Sequence, residues 1–176
     1  VARDNVRLFS QSLEPEERLI GIEPSVILTF RDEYPSLLRG REQEQAVELA
    51  KRTMTIEEFL AEAIGRGAIS SDDFTEQPKQ LKVHGHCHQK ALSSMAAVRQ
   101  VLTLPKQYQA TLIPSGCCGM AGSFGYEKEH YSLSMQIGEL ILLPTVRKLP
   151  ADVEVVASGT SCRHQIKDGT GRRAKH

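Results

Sequence analysis

The stretch Gln80-Leu81-Lys82-Val83-His84-Gly85-His86-Cys87-His88 decides the fold. Leu81 and Val83 alternate with polar residues, as in a half-buried strand. Gly85 then breaks the run and delivers Cys87 to the head of a helical pattern. Two later segments share this plan. Gln109 to Ile113 is a strand entering Pro114-Ser115-Gly116-Cys117-Cys118-Gly119, and Val153 to Ala157 enters Ser158-Gly159-Thr160-Ser161-Cys162. Between them lie helical patterns. Gln89 to Leu102 repeats apolar residues at Ala91, Met95, Val98 and Leu102. His130 to Leu149 reads as one long helix, kinked or restarted near Pro144, and Arg163 to Asp168 begins another. Strands alternating with helices predict an α/β fold, with parallel-sheet layers flanked by helices.

The first part of the chain is less regular. Asp4 to Ser12 reads as a helix, Arg18 to Ile22 as a short strand ended by Glu23-Pro24, and Val26 to Asp32 as a second short helix. Glu42 to Arg52 is helical, with Val47, Leu49 and Ala50 expected on its buried side. Thr55 is placed to cap a helix whose first turn carries Glu57 and Glu58, and Gly65 or Gly67 closes it. Ser70 to Lys79 is polar, contains Pro78, and reads as a linker. A faint repeat also emerges: Leu19 to Val26 follows the plan of Val155 to Cys162, with Val26 falling where Cys162 falls. The expected division is therefore 1–79, the end of a degenerate first repeat plus a helical linker, and 80–176, a second repeat carrying the cysteines.

Composition narrows the function. Lys+Arg and Asp+Glu both number 22, and there is no Trp, so neither the basic excess nor the aromatic platform of a nucleic-acid binder is present. No segment approaches the roughly 18–20 unbroken apolar residues of a membrane helix. The chain opens Val1-Ala2-Arg3-Asp4, without Met, and closes on a basic tail, which reads as a piece of a longer polypeptide. A helix-and-strand pattern with only four cysteines is unlike a disulfide scaffold, so the thiols are expected to be reduced. That suggests a cytoplasmic setting, or a peripheral one on the inner face of the cytoplasmic membrane.

Every cysteine stands just after a predicted strand. Parallel strands open their C-terminal ends on one edge, so Cys87, Cys117, Cys118 and Cys162 are expected to converge there. Helices starting after them would point their N-termini at the same spot and favour thiolates. Gly116, Gly119, Gly122 and Gly125 surround the adjacent pair and would let backbone N–H groups approach a ligand. Thiolates tuned by N–H groups are what an iron–sulfur cluster needs. Zinc is the rival, because His84, His86, His88 and His164 lie beside the thiols and zinc accepts Cys/His sets. A catalytic thiol at Cys117 is the third reading, though no Asp or Asn is placed to orient a base. His130 and Tyr131 are expected to pack their helix, and Glu127, Lys128 and Glu129 to form a solvated face.

The motifs His86-Cys87-His88, Gly116-Cys117-Cys118-Gly119-Met120-Ala121-Gly122-Ser123-Phe124-Gly125 and Ser161-Cys162-Arg163-His164-Gln165-Ile166 resemble the cysteine-rich CCG domain. That domain occurs in a subunit of heterodisulfide reductase, in the iron–sulfur subunit of glycolate oxidase and in a subunit of anaerobic glycerol-3-phosphate dehydrogenase. The chain most resembles the C-terminal region of fused FAD-linked oxidases with iron–sulfur domains, of the D-lactate or D-2-hydroxyacid dehydrogenase type. The resemblance implies two related half-repeats, the first incomplete. It also implies a [4Fe–4S]-type cluster on Cys87, Cys117, Cys118 and Cys162, lined by Gly116, Gly119, Gly122, His88 and His164. The chain departs from the family at Gln165, where the pattern has a final Cys, and at Val26, where the first repeat usually has one. The implied role is electron transfer from a flavoprotein domain or subunit, with FAD held outside this chain, to an acceptor such as a quinone. The chain alone would not turn over substrate. A zinc-based docking module and a thiol–disulfide site, as in heterodisulfide reduction, remain the alternatives.

Overall fold

A computed structural model describes all of residues 1–176 and divides them into two compact units, Val1–Phe59 and Leu60–His176. In the first unit, α1 (Ala2–Ser12) leads to β1 (Leu19–Gly21). Next come α2 (Pro24–Ile27), a 3₁₀ turn at Leu28–Phe30, α3 (Glu33–Leu37), α4 (Gly40–Arg52) and β2 (Thr53–Thr55). Pro24 opens α2, where its missing N–H has no intrahelical partner to lose. β2 pairs in parallel with β1, Ile20 opposite Met54. Nothing in the sequence warns of β2, because its three residues follow α4 without a break. On α4 the buried residues are Ala46 and Leu49. Val47, expected inside, is exposed, because the packed stripe runs one residue earlier than its apolar content suggests.

The chain leaves this unit through α5 (Ile56–Gly65), whose start is a reciprocal cap. The Glu58 N–H donates to Thr55 Oγ1 at 3.3 Å, and the Thr55 N–H donates to Glu58 Oε2 at 2.9 Å. Arg31 holds the same corner. Its Nε–H donates to the Thr53 carbonyl at 2.8 Å, and its guanidinium pairs with the Glu58 carboxylate. At the far end Gly67, at φ +70°, closes the helix: its N–H reaches Ile64 O and the Ala68 N–H reaches Ala63 O, both at 2.9 Å.

The second unit is built on a three-stranded parallel sheet in the order β4-β3-β5. β3 (Lys79–His84) lies between β4 (Tyr108–Leu112) and β5 (Glu154–Ala157), with Val83 opposite both Leu112 and Val156. Residue alternation gives each face its own core. One face buries Val155 and Ala157 with Ile113, Leu142, Leu143, Val146 and Ile166. The other buries Leu81, Val83 and Val156 with Val98. Cys118 and Cys162 belong to the first of these clusters.

Two predicted helices are each split. Gln89–Leu102 becomes α6 (Cys87–Leu92) and α7 (Ala96–Leu102). The break falls at Ser93-Ser94, where Ser94 Oγ accepts from the Ala96 N–H at 3.1 Å and so caps a new helix. His130–Leu149 becomes α8 (Tyr131–Glu139) and α9 (Leu142–Arg147), with Pro144 in the first turn of α9, where it breaks no bond. The last helix, α10, spans Thr160–Thr170. Leu143, fully buried, is wedged between two glycines. A Cβ at Gly169 would lie 2.6 Å from its side chain, and one at Gly138 would lie 3.0 Å away.

The repeat seen in the sequence has a structural counterpart. Val26 is the third residue of the helix after β1, as Cys162 is the third residue of the helix after β5. In each case the chain then returns parallel to the strand it left, as β2 beside β1 and as a bridge from Lys175 to Val156.

Leu143→Ala is expected to destabilise the second unit by about 2–5 kcal/mol, because the two glycine-lined surfaces cannot collapse onto a smaller side chain. Denaturant unfolding of the two proteins measures it.

Candidate metal centre

The three strand ends of the second unit deliver the four thiols to one place. His86 is the N-cap of α6 and Cys87 its first residue. Cys117 and Cys118 lie in the loop that follows β4, and Cys162 lies in the first turn of α10. Gly159, the N-cap of α10, is required for the approach: a Cβ there would lie 2.4 Å from His86 Cδ2 and 3.1 Å from Cys162 Sγ. The sulfurs form a continuous series of side-chain contacts, Cys87 to Cys117, Cys117 to Cys118, and Cys118 to Cys162. Cys118 and Cys162 are buried, while Cys87 and Cys117 are half-buried, and none is in a disulfide.

Their ionisation alternates along the series. Cys117 is held far below the usual thiol range, first by the Cys118 and Cys87 thiols and then by the backbone N–H groups of Gly119 and Ala121, against the cost of burial. The Gly119 N–H lies 3.3 Å from Cys117 Sγ. Cys118 is pushed up by contact with Cys117 and Cys162 and by burial. Cys87 is pushed up by Cys117 and by burial. Cys162 is lowered to about 5, chiefly by the Cys118 thiol and then by the nearby imidazoles of His84 and His86. Thiolate thus alternates with thiol, since adjacent buried sulfurs cannot both carry charge cheaply.

The loop bearing the vicinal pair is fixed by residues that the sequence pattern does not single out as structural. Gln165, buried three residues after Cys162, points its Nε2 at Cys118 O, Ser134 O and Ser134 Oγ, each at 3.0 Å. The residue standing where the resembled family has its last cysteine is therefore a clamp on the vicinal pair's backbone. Gly119, at φ +102°, passes so near α8 that a Cβ would lie 2.1 Å from Ser134 O. Lys90 reaches across from α6, its Nζ donating to Ser115 O at 2.6 Å and Gly116 O at 2.9 Å. Gln89 Oε1 accepts from Ser158 Oγ at 3.3 Å.

The other expected site residues divide. Gly119 contributes its N–H to sulfur, whereas Gly116 is exposed and offers its carbonyl to Lys90. Gly122 turns the chain at φ +68° with open space around it. His88 supplies a backbone N–H to Cys87. His164 is exposed, its Nδ1 2.5 Å from Tyr126 Oη. His84 and His86 are the imidazoles buried beside the sulfurs. A helix begins at Cys87 and another just before Cys162, as expected, but none follows the vicinal pair directly, and loop N–H groups take that place. Four convergent thiols, two already disposed to ionise and served by N–H donors, fit the donor chemistry of an iron–sulfur cluster.

Three relatives define what the chain is similar to. D-2-hydroxyglutarate dehydrogenase of Escherichia coli is 31% identical over 159 residues, which is 88% of this chain but 14% of that protein. The Pseudomonas putida enzyme of the same name is 28% identical over 160 residues, again 14% of its length. A subunit of the anaerobic glycerol-3-phosphate dehydrogenase of Escherichia coli is 28% identical over 162 residues, which is 90% of this chain and 38% of that protein. The chain thus spans between a seventh and two-fifths of these relatives. No family model matches it, and no solved structure does. No helix is long and apolar enough to cross a membrane.

Two outcomes are expected of the metal-free, reduced chain. Gln165→Leu leaves the Cys118 carbonyl and Ser134 without their amide donor, at a cost of about 1–3 kcal/mol in denaturant unfolding. In a pH titration of thiolate ultraviolet absorbance, a step near pH 5 belongs to Cys162. The absorbance falls as pH drops through that value, because the thiolate is protonated, and Cys162→Ser removes the step.

Proposed function

We propose that the chain is an iron–sulfur electron-transfer domain of a flavin-dependent 2-hydroxyacid oxidoreductase, of the CCG type, holding a [4Fe–4S]-type cluster on Cys87, Cys117, Cys118 and Cys162. The convergence of four sulfurs at three strand ends carries this reading. The names of the relatives, a 2-hydroxyacid dehydrogenase and part of a glycerol-3-phosphate dehydrogenase, support the oxidoreductase class. The equivalent placement of Val26 and Cys162 supports a reading of residues 1–79 as the end of a degenerate first repeat and 80–176 as the repeat that kept its thiols.

When bound, the cluster supplies a one-electron relay. The chain does the rest. Cys118 and Cys162 anchor the centre from the apolar core, where Ile113, Met120 and Ile166 exclude water. Gly119, Ala121 and His88 offer N–H groups to sulfur, which stabilise negative charge and so tune potential. Cys87 and Cys117, half-exposed, mark the side through which electrons pass. FAD belongs to a flavoprotein domain or subunit outside this chain, and a quinone or similar carrier accepts the electrons, in a cytoplasmic or inner-face setting. The chain by itself binds and positions the cluster and turns over no substrate.

Zinc is the second reading, favoured by the one mixed group of donors: His84, Cys118 and Cys162 place their ligand atoms within 4.8 Å of one another. Metal analysis after anaerobic reconstitution decides between the two. About four irons with matching sulfide are expected, each single Cys→Ser variant holding fewer. Fewer than about three irons per chain, or zinc with no visible absorption, would reject the cluster.

A further inference from the structure

His84 ends β3, and it is almost wholly buried, at 1% exposure. Its ring is held from one side, Nδ1 lying 2.8 Å from Ser115 Oγ. Ser115 is itself buried in the loop before the vicinal cysteines. The other ring nitrogen, Nε2, is shut off from solvent and has no hydrogen-bond partner. Leaving a buried polar atom in that state costs about 1–3 kcal/mol, so the group it faces matters. Nε2 faces Cys118 and Cys162, the two most buried sulfurs, and the three ligand atoms lie within 4.8 Å of one another. Two donors on one tetrahedral ion, with bonds of about 2.0–2.3 Å, stand roughly 3.5–4 Å apart. The trio is thus close to the spacing of ligands that share a metal.

We propose that His84 Nε2 is a direct metal ligand, so that the centre has a mixed imidazole–thiolate donor set in which His84 binds beside Cys118 and Cys162. The inference rests on the iron–sulfur reading above and adds a nitrogen to it. Ser115 accepts the Nδ1–H, fixing the tautomer whose lone pair is on Nε2 and aiming it at the sulfurs, as partners of metal-bound histidines commonly do. His86 and His88 occupy other places: His86 caps α6, and His88 reaches Cys87 through its backbone.

The test uses the full chain, reconstituted anaerobically with iron and sulfide, with iron counted first. Pulsed electron paramagnetic resonance of the reduced protein is then recorded with natural and with ¹⁵N-labelled histidine. A strong coupling from a bound nitrogen is expected, changing with the label, lost in His84→Ala and kept in His86→Ala and His88→Ala. The labelled, unsubstituted protein answers the question even where His84→Ala does not fold. Ser115→Ala, which keeps the ring but frees Nδ1, should alter the same coupling. A full complement of iron with only weak nitrogen couplings, indifferent to histidine labelling, overturns the inference and leaves the cluster standing. A chain that takes up no iron removes both.

Discussion

Parallel pairing in the second unit is the constraint on which the site depends. β4, β3 and β5 run in one direction and in fixed register, so their C-terminal ends open on a single edge. Residues at positions 87, 117, 118 and 162, far apart along the chain, become neighbours for that reason alone. Slip β5 by one residue and its inward and outward side chains would exchange faces, moving Val155 and Ala157 out of the core that supports Cys162. The chain reinforces this edge at both sides. Lys79 and Lys175 both pair with Glu154, and the Lys175 backbone exchanges bonds of 2.8 Å with Val155 and Ala157.

Upon that frame the vicinal loop is the part under most restraint. It has no helix of its own to fix it, and it is held instead from three directions. Gln165 grips it from α10, Ser134 crowds it from α8, and Lys90 ties its entry to α6. Helices α8 and α10 reach the sulfurs from the apolar core, so the stability of that core becomes precision at the site. The alternation of thiol and thiolate has the same origin. Burial forbids a run of like charges, and the N–H groups of a glycine-bearing loop select Cys117 as one of the charged members.

How much of this was legible in the sequence depends on range. The second unit was, because Leu81, Val83, Val155 and Ala157 alternate cleanly and glycines or serines follow each strand. Convergence of the cysteines followed from strand direction. β2 was not legible: Thr53 to Thr55 is a strand only because β1 lies beside it. The helix breaks at Ser93-Ser94 and at Leu140-Ile141 were hidden under a continuing apolar period. At the site, spacing showed that histidines were near the thiols but not which ones turn inward. His84 sits on the strand and is buried with it, whereas His164, two residues after Cys162 on the same helix, emerges toward Tyr126. Gln165 was seen as a missing cysteine. Its role depends on Ser134, some thirty residues away, and no local pattern reveals that.

The graded burial of the sulfurs also gives the site a direction in time. Cys87 and Cys117 touch each other at the surface-facing side, and Cys118 and Cys162 lie behind them in the core. Anything arriving from solvent meets the outer pair first. Incoming metal is captured there before the inner pair closes around it, and oxygen or peroxide reaches the same two sulfurs first. Ageing in air therefore begins as a cross-link or sulfenic acid at the rim, with the inner sulfurs still reduced, and mild thiol treatment restores the site as long as the damage has not moved inward.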